Sequence, residues 1–431
     1  MINFTNKNVA VLGLGIEGRD AINYLLKNGA VVTLLDKKEE DELDFSGINK
    51  NKIKLVTGKN YLENLNKYDY VVRSPGVYRY LPEIKMAEKE GVKITSAIKI
   101  FFEDCLGKII GVTGTKGKGT TSSLIYEILK ADKRDVYLSG NIGKPYLELL
   151  PKISKDSWIV MEMSSFQLID LDISPYIAVV LNITLDHMDW HKNRKEYVEA
   201  KRNIVSHQKS NDFAVINFDY DTPKSFVSSV KGKLVEFSKS TLESKFENDL
   251  LLRGVHNLEN IAAAVAVGQI LKIDEDMIAG AVKSFRGLEH RLELVDTING
   301  VTFYNDSFAT GPQPTIAAIN SFTEPETVIL GGSDKGLNYG ELRSEIKSRE
   351  NVKNIILIGE IGEKIGGGIK NKNVVNLGKT SMIKIVRKAL EITPKGGVVI
   401  LSPAAASFDM FKNYKERGLL FKKAVEDVKD E

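Results

Sequence analysis

Cysteine is nearly absent from this chain: Cys105 stands alone among 431 residues. A single thiol excludes a disulfide within the chain, and with it any Cys-rich metal site. Long apolar runs are missing too, so nothing reads as a membrane span. The polar start, Met1-Ile2-Asn3-Phe4-Thr5-Asn6-Lys7-Asn8, lacks the apolar core of a signal peptide. Excess charge is small, at net +3 with no long block of one sign, and this does not ask for a nucleic-acid partner. There is no low-complexity tract and no repeat of solenoid period. What remains is an ordinary balance, 42% apolar and 27% charged, over a length that suits two or three domains. The expectation is a cytoplasmic, monomeric, enzyme-sized globular protein that acts on small molecules.

The chain is organised around residues 108–129. Lys108-Ile109-Ile110-Gly111-Val112 predicts a buried parallel strand, Thr113-Gly114-Thr115-Lys116-Gly117-Lys118 a glycine loop, and Ser122 to Leu129 a helix. Such a unit cradles phosphate: backbone amides curl around an anion, the helix start adds its positive end, and Lys118 supplies a mobile charge. The spacing departs from the strict Walker pattern. Val112 stands at its first glycine, and Gly119 stands where a magnesium-binding Ser or Thr is usual. A plain strand–turn–helix therefore stays open at this point.

Earlier in the chain, Asn8-Val9-Ala10-Val11-Leu12 predicts a strand that breaks into Gly13-Leu14-Gly15-Ile16-Glu17-Gly18. An amphipathic helix follows to about Asn28-Gly29, and a second strand from Ala30 to Leu35 ends in Asp36. This is a dinucleotide-type fingerprint, with a phosphate on the glycine turn and Asp36 on a sugar or base; a packing turn that binds nothing is the alternative. A strand over Tyr68 to Arg73 ends in Ser74-Pro75-Gly76, which sets backbone amides at the carboxyl edge of a sheet.

In the middle of the chain, the strand from Trp158 to Met161 runs into Glu162, a candidate magnesium ligand beside the phosphate loop. The apolar run from Tyr176 to Leu181 ends in Asn182-Ile183-Thr184, followed by Asp186, His187, Asp189 and His191. That cluster fits a metal or phosphate site, and equally a surface turn. On the next helix Tyr197, Val198, Lys201, Ile204 and Val205 share one stripe, so Lys201 points inward, where an unpaired ammonium is costly. It snorkels or pairs, or carbon dioxide converts it to an anionic carbamate able to help bind a metal. Asn257 and Asn260 lie one turn apart at the start of an Ala-rich helix, placed to face one ligand such as adenine or to cap the helix. After Glu289-His290-Arg291 the pattern shifts. Strands at Val301-Tyr304, Thr327-Leu330, Val352-Ile358 and Val398-Leu401 then alternate with helical stretches and end in Ser, Asp and Lys. These predict a third α/β domain of doubly wound type.

Taken together, five segments resemble the Mur ligases, the ATP-dependent amide ligases of peptidoglycan precursor synthesis: Thr113 to Lys118, Glu162-Met163-Ser164-Ser165-Phe166-Gln167, Asn182-Ile183-Thr184 with Asp186-His187-Met188-Asp189, His256-Asn257-Leu258-Glu259-Asn260, and Glu289-His290-Arg291. Gly13-Leu14-Gly15, Ser74-Pro75-Gly76, Tyr304-Asn305-Asp306-Ser307 and the run from Leu401 to Tyr414 are nearest to the members that join D-glutamate to UDP-N-acetylmuramoyl-L-alanine. The likeness covers nearly the whole chain, in the family's order.

The resemblance implies an α/β fold of three domains. They are a Rossmann-like UDP-substrate domain over residues 1–96, a central P-loop ATPase domain with a parallel-sheet core over 97–292, and a C-terminal Rossmann-like domain over 293–431. It implies ATP and two magnesium ions as cofactors, with UDP-muramoyl-alanine and glutamate as substrates. UDP would lie near Gly15, Ile16, Glu17, Asp36, Lys37 and Ser74, with Asn141 toward the muramoyl part. ATP would meet Gly114, Thr115, Lys116, Gly117, Lys118, Gly119 and Thr120, together with Asn257, Asn260, Arg291 and Asp306. Glu162, with Thr120 or water, would hold one magnesium, while His187 and a carbamylated Lys201 would hold the second; with Lys118 they form the catalytic set. Thr310, Lys335, Ser407 and Tyr414 match the positions that receive the amino acid.

Three residues depart from the family's pattern. Gly119 removes a hydroxyl after the loop lysine, Phe308 fills the lysine position of an Asp-Ser-Lys-Ala-Thr pattern, and Tyr414 stands where phenylalanine is frequent. Other readings remain beside this one: a Mur-type ligase for another amino acid such as L-glutamate, folylpolyglutamate synthase, a silent binding protein, or a nicotinamide-dependent oxidoreductase. The N-terminal nucleotide domain speaks against the synthase. The oxidoreductase rests on the first glycine motif alone and leaves the second phosphate loop unexplained.

Overall fold

A computed structural model describes residues 2–141, 143–248, 250–254 and 256–431; Ile142 of the Gly140–Gly143 turn and Val255 before the Ala-rich helix lie outside them. The chain forms two compact units, Met1–Leu242 with Glu259–Ala281, and Glu243–Leu258 with Val282–Glu431.

The first unit holds two parallel sheets. One contains β1 (Asn8–Leu12), β2 (Val31–Asp36), β3 (Lys54–Thr57), β4 (Tyr70–Arg73) and β5 (Lys93–Ser96) in the order β3-β2-β1-β4-β5. The other contains β6 (Lys108–Thr113), β7 (Val136–Gly140), β8 (Trp158–Glu162), β9 (Ile177–Val180), β10 (Phe213–Asn217) and β11 (Lys233–Phe237) in the order β11-β10-β9-β6-β8-β7. Strands covered on both faces must be apolar throughout, and Val9 to Leu12, Ile109 to Val112 and Ile177 to Val180 are all buried. β11 is an edge strand with only Phe237 buried, so the stretch around it carries no readable apolar pattern. The strand order reverses beside β1 and beside β6, and such switch points open crevices at the carboxyl ends of the strands.

Between these sheets the contact is both apolar and polar. Phe101 packs edge-on against Tyr146, with ring centroids 5.7 Å apart. The Asp20 carboxylate accepts from the Leu147 and Glu148 amides at 2.9 and 3.1 Å. Arg73, wholly buried at the end of β4, pairs with Asp170 and donates to the carbonyls of Val77 and Phe166.

In the second unit, β12 (Glu293–Ile298), β13 (Val301–Asn305), β14 (Glu326–Gly331), β15 (Val352–Ile358), β16 (Asn373–Gly378) and β17 (Val398–Leu401) form a sheet of order β12-β13-β17-β14-β15-β16. Only the β12–β13 pair is antiparallel. Helices Met382–Ile392 and Tyr414–Lys429 cover one face through Ile385, Val386, Phe421 and Val425. The other face packs against Leu342, Ile346 and Ile365. Its parallel strands again deliver their carboxyl ends to one edge.

Candidate active site

At the end of β6 the chain turns through the glycine loop into the helix Lys118–Ala131. That helix begins four residues before the apolar periodicity does, because tertiary contacts set its first turn. Gly117 has φ +84°, and a Cβ there would come within 2.2 Å of Asn260 Oδ1. No residue but glycine fits both the left-handed backbone and the approach of that amide. Thr115 ties the loop to the segment after β9: its amide donates to Asn182 O at 2.8 Å, and its Oγ1 accepts from the Thr184 amide at 2.9 Å. Asn260 also accepts from Thr121 Oγ1 at 3.1 Å, so it helps to shape the loop. Asn257 Nδ2 donates to Arg253 O at 2.5 Å.

Two lysines meet beneath this loop. Lys118 Nζ donates to Gly114 O at 3.2 Å and to Thr115 O at 2.9 Å. Lys201 Nζ, from the helix Arg194–Ser206, donates to the same Gly114 O at 2.8 Å and lies 4.9 Å from the Tyr197 ring centre. Lys201 is 2% exposed, as its place on the apolar stripe predicts. Burial, and then the Lys118 ammonium beside it, push its pKa well below the usual lysine range. Its amine is thereby shifted toward the neutral, nucleophilic form. Glu162 closes β8 opposite Val112, and is buried. The turn that leaves the neighbouring strand β7 needs glycine at position 140, where a Cβ would meet Glu162 O at 2.2 Å. Asn141 stands exposed beside it, its amide donating to Glu162 O at 3.2 Å.

The acid–histidine cluster after β9 divides. His191 is buried, with Nε2 on Ser165 Oγ at 2.8 Å and Nδ1 on Glu196 at 3.3 Å, so it serves the scaffold. His187 stays half-exposed in a left-handed backbone, φ +55°, edge-on to Phe166 at 4.8 Å. A non-glycine residue held at positive φ marks a segment fixed by its surroundings, and such residues gather at functional sites. Among the described residues, no group of three or more His, Cys, Asp or Glu side chains could hold a metal by itself. Glu162 and His187 could each offer a single donor to a magnesium ion, which keeps waters and takes phosphate oxygens.

The first glycine motif builds a second cradle at the β1–β4 switch point. A Cβ on Gly18 would lie 2.0 Å from Gly13 O, so helix Ile16–Lys27 can approach the turn only with glycine there. Asp36 accepts from the Leu14 amide at 2.8 Å and the Lys38 amide at 3.0 Å, while Ser74 Oγ donates to Gly13 O at 3.0 Å. The Glu17 carboxylate accepts from Tyr146 OH and, at 2.7 Å, from Gln167 Nε2. These three side chains are committed to the protein. Ile16 and Lys37 remain exposed beside the orphan amides of the helix start.

In the second unit, Asp306 follows β13 with its carboxylate accepting from Ser402 Oγ at 2.7 Å and the Leu292 amide at 3.1 Å. Burial pushes its pKa up to about 7 against the pull of those bonds and of Arg291 and Arg417. Lys335 Nζ reaches Thr310 Oγ1 at 3.4 Å. Ser407 is buried, and its carbonyl accepts from the Phe411 amide at 2.8 Å. Tyr414 opens the last helix, its carbonyl accepting from Ser307 Oγ at 2.8 Å. Arg417 escaped the sequence reading. It is wholly buried, with Nε on Ser307 Oγ at 2.9 Å, Nη2 on Ser307 O at 2.8 Å, and Nη1 on the carbonyls of Ala405 and Ala406. The signal was present: Arg417, Phe421, Ala424 and Val428 share a stripe, as Lys201 does on its own helix.

Three family models match the chain in order: the Mur ligase MurD-like N-terminal domain over residues 7–96, the Mur ligase middle domain over 112–268, and the Mur ligase glutamate ligase domain over 290–405. The chain is 41% identical to the UDP-N-acetylmuramoylalanine--D-glutamate ligase of Acetivibrio thermocellus, over 98% of this chain and 97% of that protein. It is 36% identical to the protein of the same name from Ruminiclostridium cellulolyticum, with the same coverage. Among solved structures, the MurF ligase of Thermotoga maritima in complex with ADP shares the fold at a TM-score of 0.58 and 20% identity, over 98% of this chain and 96% of that one.

Proposed function

The chain belongs to the Mur ligase family, ATP-dependent ligases of peptidoglycan synthesis, and from this premise we propose that it joins D-glutamate to UDP-N-acetylmuramoyl-L-alanine. One observation carries the site assignment: Lys118 and the buried Lys201 converge on Gly114 O in a glycine loop, with Glu162 on the adjoining strand. In the reaction, the alanyl carboxylate attacks the γ-phosphate of ATP, giving an acyl phosphate and ADP. The glutamate amine then attacks the activated carbonyl, an amide bond forms, and phosphate leaves. Lys118 and the loop amides neutralise and orient the phosphates.

ATP and magnesium are the family's cofactors, and bound magnesium supplies charge neutralisation on the transferring phosphoryl group. We assign Glu162 and Thr120 to one ion, and His187 with a carbamylated Lys201 to the other. The depressed Lys201 amine favours that modification. The neutral amine adds to carbon dioxide, one proton leaves, and the resulting carbamate is an anion beside Lys118. Because Asp36, Glu17 and Ser74 are committed to the protein, the UDP phosphates fall to the amides of Gly15, Ile16 and Glu17, with Lys37 alongside. Asn257, Asn260, Arg291 and Asp306 serve ATP, and Thr310, Lys335, Ser407 and Tyr414 the amino acid. This divides the work among residues 1–96, 97–292 and 293–431. Among the described residues no helix is long and apolar enough to cross a membrane. A cytoplasmic monomer is part of the proposal.

Phosphate release with ATP and magnesium tests it, comparing UDP-muramoyl-L-alanine plus D-glutamate with each omitted. Release that needs both supports the reading, and release that needs neither, or needs L-glutamate instead, removes the assigned specificity.

A further inference from the structure

Phe308 departs from the Asp-Ser-Lys-Ala-Thr pattern of the resemblance, and its surroundings in the second unit give it a task. The Arg291 guanidinium lies 4.0 Å from the centre of the Phe308 ring, close enough for a planar stack. Tyr414 meets the same ring edge-on, with centroids 5.1 Å apart and an interplanar angle of 85°. Phe308 is 40% exposed, so core packing does not account for it.

The backbone that carries Arg291 is held unusually firmly. His290 and Leu292 on either side have φ +65° and +48°, both costly for side chains of that size. Hydrogen bonds impose the strain. The His290 amide donates to Glu293 at 2.9 Å, Asn305 Nδ2 donates to His290 Nδ1 at 2.9 Å, and the Leu292 amide donates to Asp306. Gly418 lets the histidine in, since a Cβ there would lie 2.2 Å from His290 Nδ1. Phe308 completes the frame, its amide donating to His290 O at 3.0 Å. Both the main chain and the side chain of this arginine are therefore fixed.

We propose that Phe308, with Tyr414 behind it, is a positioning residue that holds the Arg291 guanidinium flat against its ring and so presets it for binding nucleotide. The proposal rests on the reading of Arg291 as an ATP-binding residue. An aromatic face does by stacking what a lysine cannot: it immobilises the guanidinium without adding a second positive charge beside it.

The test compares wild type with F308L, F308Y, R291K and F308L/R291K, by phosphate release and by calorimetric titration with MgATP. F308L should raise KM and Kd for ATP about three- to tenfold, the scale of a lost cation–aromatic contact, and leave KM for glutamate unchanged. F308Y, which keeps the ring, should restore the wild-type values. In the R291K background, which keeps the charge but loses the planar stack, F308L should have no further effect. Unchanged ATP affinity in F308L, or a change in KM for glutamate alone, would overturn the proposal. If wild type fails to ligate, the functional reading fails. The MgATP titrations still decide the role of Phe308.

Discussion

Replacing Lys201 with methionine should stabilise the first unit while abolishing phosphate release. The sign follows from the partners. Lys201 donates to Gly114 O, but Lys118 donates to the same oxygen and continues to satisfy it. Thr113 Oγ1, 3.5 Å from the ammonium, keeps its bond to Met163 O at 3.0 Å. Nothing is orphaned, so the usual cost of deleting a buried partner is avoided. What disappears is a fully desolvated amine beside a second ammonium, and methionine fills much the same volume with a flexible apolar chain. Exchanging such a group for an apolar one is worth about 1–3 kcal/mol. With a urea m-value of about 2–3 kcal/mol/M, the midpoint should rise by roughly 0.3–1.5 M. Both tryptophans, Trp158 and Trp190, lie in the first unit, so their fluorescence follows it directly. The measurement belongs in bicarbonate-free buffer, where the wild-type amine is unmodified. Phosphate release should fall by at least about 100-fold, the scale on which a preorganised charge at a reacting group acts. A lowered midpoint would show that the bonds of the ammonium outweigh its desolvation. Retained activity would sink the metal-binding role.

Arg417→Met should have the opposite effect on stability. It leaves the carbonyls of Ser307, Ala405 and Ala406 without that donor in a buried setting, and should cost about 1–3 kcal/mol in urea unfolding followed by circular dichroism. A loss below about 1 kcal/mol would show that those carbonyls do not depend on this guanidinium. Glu326, wholly buried on β14, has its pKa raised by burial from 4.5 to about 8. The native state then holds a proton that the unfolded chain has released, so stability falls as pH rises from about 4.5 to about 8 and levels off above. Between pH 6 and pH 9 this group should cost the wild type roughly 2–3 kcal/mol that Glu326→Gln does not lose. Parallel urea midpoints for the two proteins across that range would contradict the assignment.

Much of this architecture follows from local pattern. A parallel strand covered on both faces must be a largely continuous apolar run, and β1, β6, β8, β9 and β17 are such runs, each leading into a turn or residue assigned to the site. Both glycine turns were readable for the same kind of reason: the approach of backbone to backbone at Gly18, and of a side-chain amide at Gly117, leaves no room for a Cβ. The inward direction of Lys201 came from helical period alone, and the same rule applied to the last helix would have found Arg417.

Partnership is what the sequence left open. Period tells which way a side chain points but not what meets it. Glu17 is engaged by Gln167, 150 residues away, and Arg417 by Ser307, 110 residues away. Asp36 and Ser74 stand at ligand positions in the sequence pattern, yet their side chains are spent on the glycine turn. The acids and histidines after β9 formed one cluster in sequence; only the burial of His191 against Ser165 and Glu196 separated it from the exposed His187. In sequence Phe308 is only a departure from a lysine position; the fold brings Arg291 over its ring. The sequence by itself determined the strands, the turns and the residue types at their ends, because those depend on neighbours within a few positions. Which polar groups are consumed by the scaffold and which remain for a ligand was decided by tertiary contact, because hydrogen bonding and desolvation depend on whatever the rest of the chain brings alongside.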